Sequence, residues 1–354
     1  MDRFIPKGDR YMRGGGQSLD AEVRQLWNKA KTRVTGDPTP EDPNKTFTLE
    51  VRPEEVKILY VRVLALLSLV DGRLDPRELQ YLYVFMSRVS LAYDSREEVR
   101  QALKTEGVSS EDVVRLVEEI ISAVPDNVEE ISASIIKDMF QISRADNVVS
   151  AEEKAAIEAT AEARFGDRAE QVVELAEKTV KYEEALIKDN VSAGELERHL
   201  KEVVACAAAA SVPITALFFS GSVVGLSAAG ISSGLAALGL GGILGLSAMV
   251  TGIGIAVVIG VTAYAATRWA LGGKERELAR QREHMIQEII KRHQGAIEDL
   301  AEDQGAIALK LAEYVSRTDQ NEARLASLKE ELQIFTAALA ELKQEKDDLQ
   351  VQSA

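Results

Sequence analysis

The chain has 354 residues, enough for two or three modules. Its formal net charge of -15 disfavours nucleic acid as a main partner, because phosphate binding draws on dense Lys and Arg surfaces. A single cysteine, Cys206, excludes an intrachain disulfide framework, and its apolar Ala-rich setting raises rather than lowers a thiol pKa.

Residues 1–50 read as a peripheral tail. Gly14-Gly15-Gly16 and the Pro-rich run from Gly36 to Asn44 are loop chemistry. Between them Leu19, Val23, Leu26, Trp27 and Ala30 recur at helical spacing and predict one short amphipathic helix. Neither a signal-peptide core nor a glycine at position two for myristoylation is seen at this end.

From 51 to 166 the apolar period is helical throughout, with no strand alternation, so the domain is predicted all-α. Val56, Leu59, Tyr60, Val63, Leu64, Leu67 and Val70 form the first wide stripe. Asp75-Pro76-Arg77-Glu78 is a capping box with proline at the first helical position, and Ser109–Asp112 and Ser150–Glu153 repeat the device.

The domain contains an internal echo. Leu66 to Leu79 and Phe140 to Lys154 each read as apolar helix, Asp-Gly or Asp-Asn corner, then a capping box. Gly72 and Asn147 suit a left-handed corner, and Asp71 and Asp146 can accept backbone amides across it. On these residues the segment resembles the tellurite-resistance TerB family and the related domain of DjlA-type membrane co-chaperones. Val70-Asp71-Gly72 through Glu78 matches one copy of their motif and Ala145-Asp146 through Glu153 the other. Val70 stands for the usual small residue and Asn147 for glycine. The resemblance implies a compact helical bundle acting as a stress-linked sensor or adaptor, with antiphage-type defence as one setting and a protein partner.

Two readings compete for Asp71, Asp75, Glu78, Asp146, Glu152 and Glu153. Capping alone explains their spacing. The alternative makes them a divalent-cation site, weak or shared between the copies, since the full EF-hand loop is absent.

Residues 167–202 are predicted as amphipathic connecting helices, with Ser192 and Glu195 opening the second. The stretch from Val203 to Thr267 follows, and it holds no Asp, Glu, Lys, Arg or His. It is about three times the ~20 residues one membrane span needs. Two helices fit, about 203–226 and 235–267. Three glycine pairs would let them pack closely: Gly221 with Gly225, Gly230 with Gly234, and Gly241 with Gly245. Tyr264, Arg268 and Trp269 lie where interfacial anchors belong. A transmembrane hairpin in a bacterial inner membrane, both termini cytoplasmic, is the expected arrangement. A pore-forming effector that stays cytoplasmic until triggered and a soluble helical scaffold are the alternatives.

Residues 268–354 are predicted as a helical arm. Leu325, Leu328, Leu332, Phe335, Leu339, Leu342 and Leu349 alternate three and four apart, a coiled-coil seam that either folds back on the preceding helix or pairs with another subunit. Homo-oligomerisation through this seam and the glycine-rich helices is expected, with the lipid bilayer as the other partner. Gly295 and Gly305 interrupt the preceding helix's own seam, and Asp319 with Glu322 would cap the second helix. His199, His284 and His293 are too scattered for a zinc pattern, and a lone histidine on a helical arm reads as surface. No phosphate-cradling loop is present. No cofactor and no enzymatic activity are expected.

Overall fold

The computed structural model describes residues 49–125, 128–187, 191–212, 216–217, 274–316 and 321–352. The predicted N-terminal helix lies outside the described residues. So do the paired glycines Gly221, Gly225, Gly230, Gly234, Gly241 and Gly245, and the anchors Tyr264, Arg268 and Trp269. The described residues form helices and connecting turns, with no strand among them.

Among the described residues, eight helices build the body. They are α1 (Glu54–Leu67), α2 (Pro76–Arg88), α3 (Tyr93–Ala102), α4 (Ser110–Ala123), α5 (Val128–Ile142), α6 (Ala151–Phe165), α7 (Ala169–Ile187) and α8 (Ala193–Ala210). The central element is α1, which carries apolar residues nearly all round and packs on α2, α3, α4 and α5. Its Tyr60, Val61, Val63, Leu64 and Leu67 are fully buried, at about 1.5–3 kcal/mol each for a large apolar side chain. Capping fixes where the helices begin. Asp75, Ser109, Ser150 and Ser192 each form a complete capping box, as their sequence pattern predicts.

The connecting helices are part of this body. The face of α7 bearing Val172, Leu175, Ala176 and Val180 is buried, and the helix packs on α5, α6 and α8. A buried charge network joins it to the centre. Lys137 Nζ lies 2.9 Å from Asp138 Oδ1 and 3.7 Å from Glu183 Oε1, while Tyr60 donates its hydroxyl to Asp138 Oδ2 at 2.7 Å.

The expectation of one apolar helix running from Val203 to Leu226 is corrected. Helix α8 stops at Ala210, Ser211 turns left-handed at φ 56°, and the Val212 amide donates to Ala207 O at 3.0 Å. Arg168 then donates to the Ala210 carbonyl at 3.1 Å. Val203, Ala207, Ala210, Val212, Ala216 and Leu217 are buried in the body's core, so the first residues of the charge-free tract are packed against protein. Among the described residues no helix is long and apolar enough to cross a membrane.

The arm is a helical hairpin of α9 (Lys274–Val315) and α10 (Glu322–Gln352), and it folds back. Both helices pack on each other and on α2. Leu328, Phe335, Leu339 and Leu342 of the predicted seam are buried there, and Leu325, Leu332 and Leu349 are half-buried. Four of the seven predicted seam residues are thus covered within the chain. Gly295 serves close approach, since a Cβ at that position would stand 2.6 Å from Ser87 Oγ of α2. The cap of α10 is Asn321, whose Oδ1 accepts from the Ala323 and Arg324 amides at 2.9 and 3.2 Å, in place of the expected Asp319. A neutral amide one residue before the helix reaches those amides directly, whereas Asp319 lies outside the described residues.

Candidate functional site

The two corners stand side by side. Gly72 and Asn147 take φ +82° and +68°, the left-handed region that glycine and asparagine tolerate best. In the first corner Asp71 Oδ1 accepts the Arg73 amide at 2.9 Å, and in the second Asp146 Oδ1 accepts the Val148 amide at 2.7 Å. Asp75 accepts from the Arg77 amide at 2.8 Å. Glu78 and Glu153 reach back to the amides of their own caps, Asp75 and Ser150, at 3.1 and 2.7 Å. Arg77 then crosses between the copies and donates to the Asp146 carbonyl at 3.2 Å.

This juxtaposition brings Glu78 and Glu153 together beneath the surface, at 7% and 4% exposure. Burial pushes the Glu78 carboxyl up to about 9, the neighbouring Glu153 adds to the rise, and the Asp75 amide opposes it. The raised value favours the neutral form of Glu78 at neutral pH. Asp71 and Glu152 lie exposed, and Asp75 and Asp146 half-buried in their turns. Among the described residues no three His, Cys, Asp or Glu groups are arranged to hold a metal ion. Five of the six carboxylates act as turn and cap acceptors, Glu78 and Glu153 being the buried pair among them, and Glu152 stands apart on the surface.

The family model described as tellurite resistance protein TerB matches residues 57–171. Those residues form a TerB-like domain. The match runs from α1 into the start of α7 and takes in both corners. No curated protein and no solved structure matches the chain.

The TerB-like domain meets the arm through a second cluster, which the sequence did not single out. Asp303 of α9 is fully buried; its Oδ2 accepts the Tyr83 hydroxyl at 2.6 Å and Arg96 Nε at 3.3 Å, and its Oδ1 forms an ion pair with Arg100 Nη1 at 2.8 Å. Arg96 also pairs with Asp299 at 2.9 Å and with Glu302. Burial works to lower the Arg96 pKa, but Asp299 and Asp303 override it and hold the guanidinium above its ordinary value. The Tyr83 hydroxyl is pushed well up by burial and by Asp303, so it stays a donor. Its ring meets Phe335 edge-on, with centroids 5.8 Å apart. Arg96 and Arg100 are one helical turn apart on α3, as Asp299 and Asp303 are on α9; the matched spacing is the only signal in the sequence.

Beside the second corner a cleft of about 570 Å³ opens between domain and arm. Arg77, Tyr81 and Asn147 line one side, and His293, Glu341 and Glu345 the other. His293 is buried, against the expectation of a surface residue. Its Nδ1 lies 2.8 Å from the Ile289 carbonyl and its Nε2 3.5 Å from Glu345. Cys206 is half-buried, and burial together with Glu174 pushes its thiol up, which disfavours the thiolate.

Proposed function

We propose that the chain is a non-enzymatic adaptor of a stress response, in which the TerB-like domain receives a protein partner and passes the event to its own arm. The observation that carries this reading is the role of α2. Its N-terminus holds the first corner through Asp75 and Glu78, and its flank is the surface on which α9 and α10 rest. A partner that changes the corner pair acts on the same rigid helix that seats the arm. The corners' preformed turns suit recognition, and the buried Glu78 carboxyl, with its raised pKa beside Glu153, suits a switch in charge rather than turnover.

The charge-free tract gives this adaptor a reason to seek a bilayer. Helices α8 and α9 flank it and touch one another, so both of its ends return to one body, as a hairpin topology with cytoplasmic flanks requires. A soluble scaffold is the second reading, favoured by the burial of Val203, Ala207, Ala210, Val212, Ala216 and Leu217 against protein. Flotation of the full chain with liposomes, and its recovery after carbonate washing of cell membranes, separates the two. A carbonate-resistant pellet supports the membrane-tethered adaptor. Monodisperse detergent-free protein that ignores liposomes leaves the scaffold.

A further inference from the structure

Near the end of α2, where Ser87 lies close against Gly295 of α9, Arg88 of α2 and Arg292 of α9 fall within each other's electrostatic reach. Arg88 is 8% exposed, and its Nε, Nη1 and Nη2 are all buried without a hydrogen-bond partner. Its guanidinium lies over the Phe85 ring at 4.2 Å, which uses the flat face and leaves the in-plane donors unspent. Arg292 is half-buried, and its Nη1 is likewise buried and unpartnered. Burial and the charge of Arg88 both hold the Arg292 pKa below its usual value, so the two guanidiniums lie in each other's field. Glu288 and Glu50 contribute to that field, yet neither takes a hydrogen bond from these nitrogens.

The neighbouring cluster shows how the chain treats buried guanidiniums when it supplies the counter-charge itself. Arg96 and Arg100 meet Asp299, Glu302 and Asp303. Arg100 keeps these ion pairs although its own Nε and Nη1 make no hydrogen bond, whereas among the described residues no carboxylate pairs with Arg88 or Arg292. Buried like charges with unspent N–H groups are costly, and an external acceptor of the right shape relieves both costs at once. Planar guanidinium forks match tetrahedral oxyanions in paired hydrogen bonds. We propose that Arg88 and Arg292 form a binding site for a phosphate-type oxyanion, free or carried on a lipid headgroup, at the junction of α2 and α9. Such an anion bridges domain and arm and strengthens their contact.

The test is thermal unfolding and calorimetric titration of the full chain with sodium phosphate, against sodium chloride at equal ionic strength. A saturable rise in Tm with phosphate, beyond that with chloride, is expected. Arg292→Met should weaken phosphate binding at least about tenfold, the loss of one charge-assisted pair, with the helical circular dichroism unchanged. Arg88→Met, which keeps an apolar stem on Phe85, should do the same. Competition then separates the sources. Displacement of phosphate by phosphatidylglycerol vesicles, and not by phosphatidylcholine vesicles, assigns the headgroup; no displacement assigns free phosphate. The proposal is overturned if phosphate does no more than chloride, or if both variants keep the phosphate response.

Discussion

The TerB-like domain and the arm are both helical, yet they are held by different physics. Around α1 the contacts are mainly apolar and fully buried, with Tyr60, Leu64, Leu67, Ile131, Ile135 and Ile136 at 0% exposure, and the Lys137–Asp138–Glu183 network is set at their edge. Where the arm meets α2 and α3, the buried centre is Asp303 between two arginines and a tyrosine. Apolar burial is non-directional and contributes stability wherever area is removed from water. A buried ion cluster contributes less net stability, because desolvation offsets much of the attraction, but it tolerates one register only. The domain is therefore held mainly by apolar burial, while the arm's seat adds to its apolar contacts an ion cluster that fixes its register.

Removing Asp303 should break this contrast most strongly. Asp303→Asn leaves Arg96 and Arg100 facing a neutral group in a buried site, at a cost of about 3–5 kcal/mol. The urea curve should become biphasic, with the arm's transition moving to lower denaturant while the domain's stays. A single transition shifted as a whole would show that arm and domain are one cooperative unit.

The complementary change lies in the domain. Tyr60→Phe takes the donor from Asp138 and Ser134 and should cost about 1–3 kcal/mol, read in the domain's own transition.

Acidity sharpens the comparison at the corners. With a folded value of about 9 against an ordinary 4.5, Glu78 binds more protons in the folded state between those limits. Stability from this group is fully present below pH 4.5 and declines as pH rises toward 9. Glu78→Gln stays neutral and can still accept the Asp75 amide, so it should raise stability at pH 8 on the order of 1 kcal/mol or more. At pH 4 it should change little. Equal effects at both pH values would show that Glu78 is ionised in the fold.

The smallest effect is expected at the helix crossing. Gly295→Ala gains helix propensity of about 1 kcal/mol but places a Cβ 2.6 Å from Ser87 Oγ. In wild type the two terms should nearly cancel. In a Ser87→Ala background the propensity gain should appear in full, measured as a difference in Tm.

What could be read from the sequence was local. Capping boxes lie within four residues, and the left-handed corners depend on one residue each, so Asp75, Ser150, Gly72 and Asn147 announced themselves. The corner pair was half legible, because the echo named Glu78 and Glu153 but not their meeting. Asp303 was not legible, since Arg96 lies 207 residues away and each charge alone resembles a solvated helix face. His293 was hidden for the same reason. The end of α8 had a signal that the apolar run obscured: Ser211-Val212-Pro213 carries proline just past the last helical residue, where it commonly follows a helix end. An unbroken run of alanines draws attention to lipid, but small side chains also suit close packing on protein, and Ala207 and Ala210 are used that way.

Native-state hydrogen exchange in low urea measures most directly whether the arm is a separable element seated by ions on a stable domain. Amides of α9 from 286 to 307 and of α10 should open at a lower free energy than those of α1 and α5, in a step that denaturant accelerates before global unfolding. Equal opening free energies for arm and domain would contradict the account.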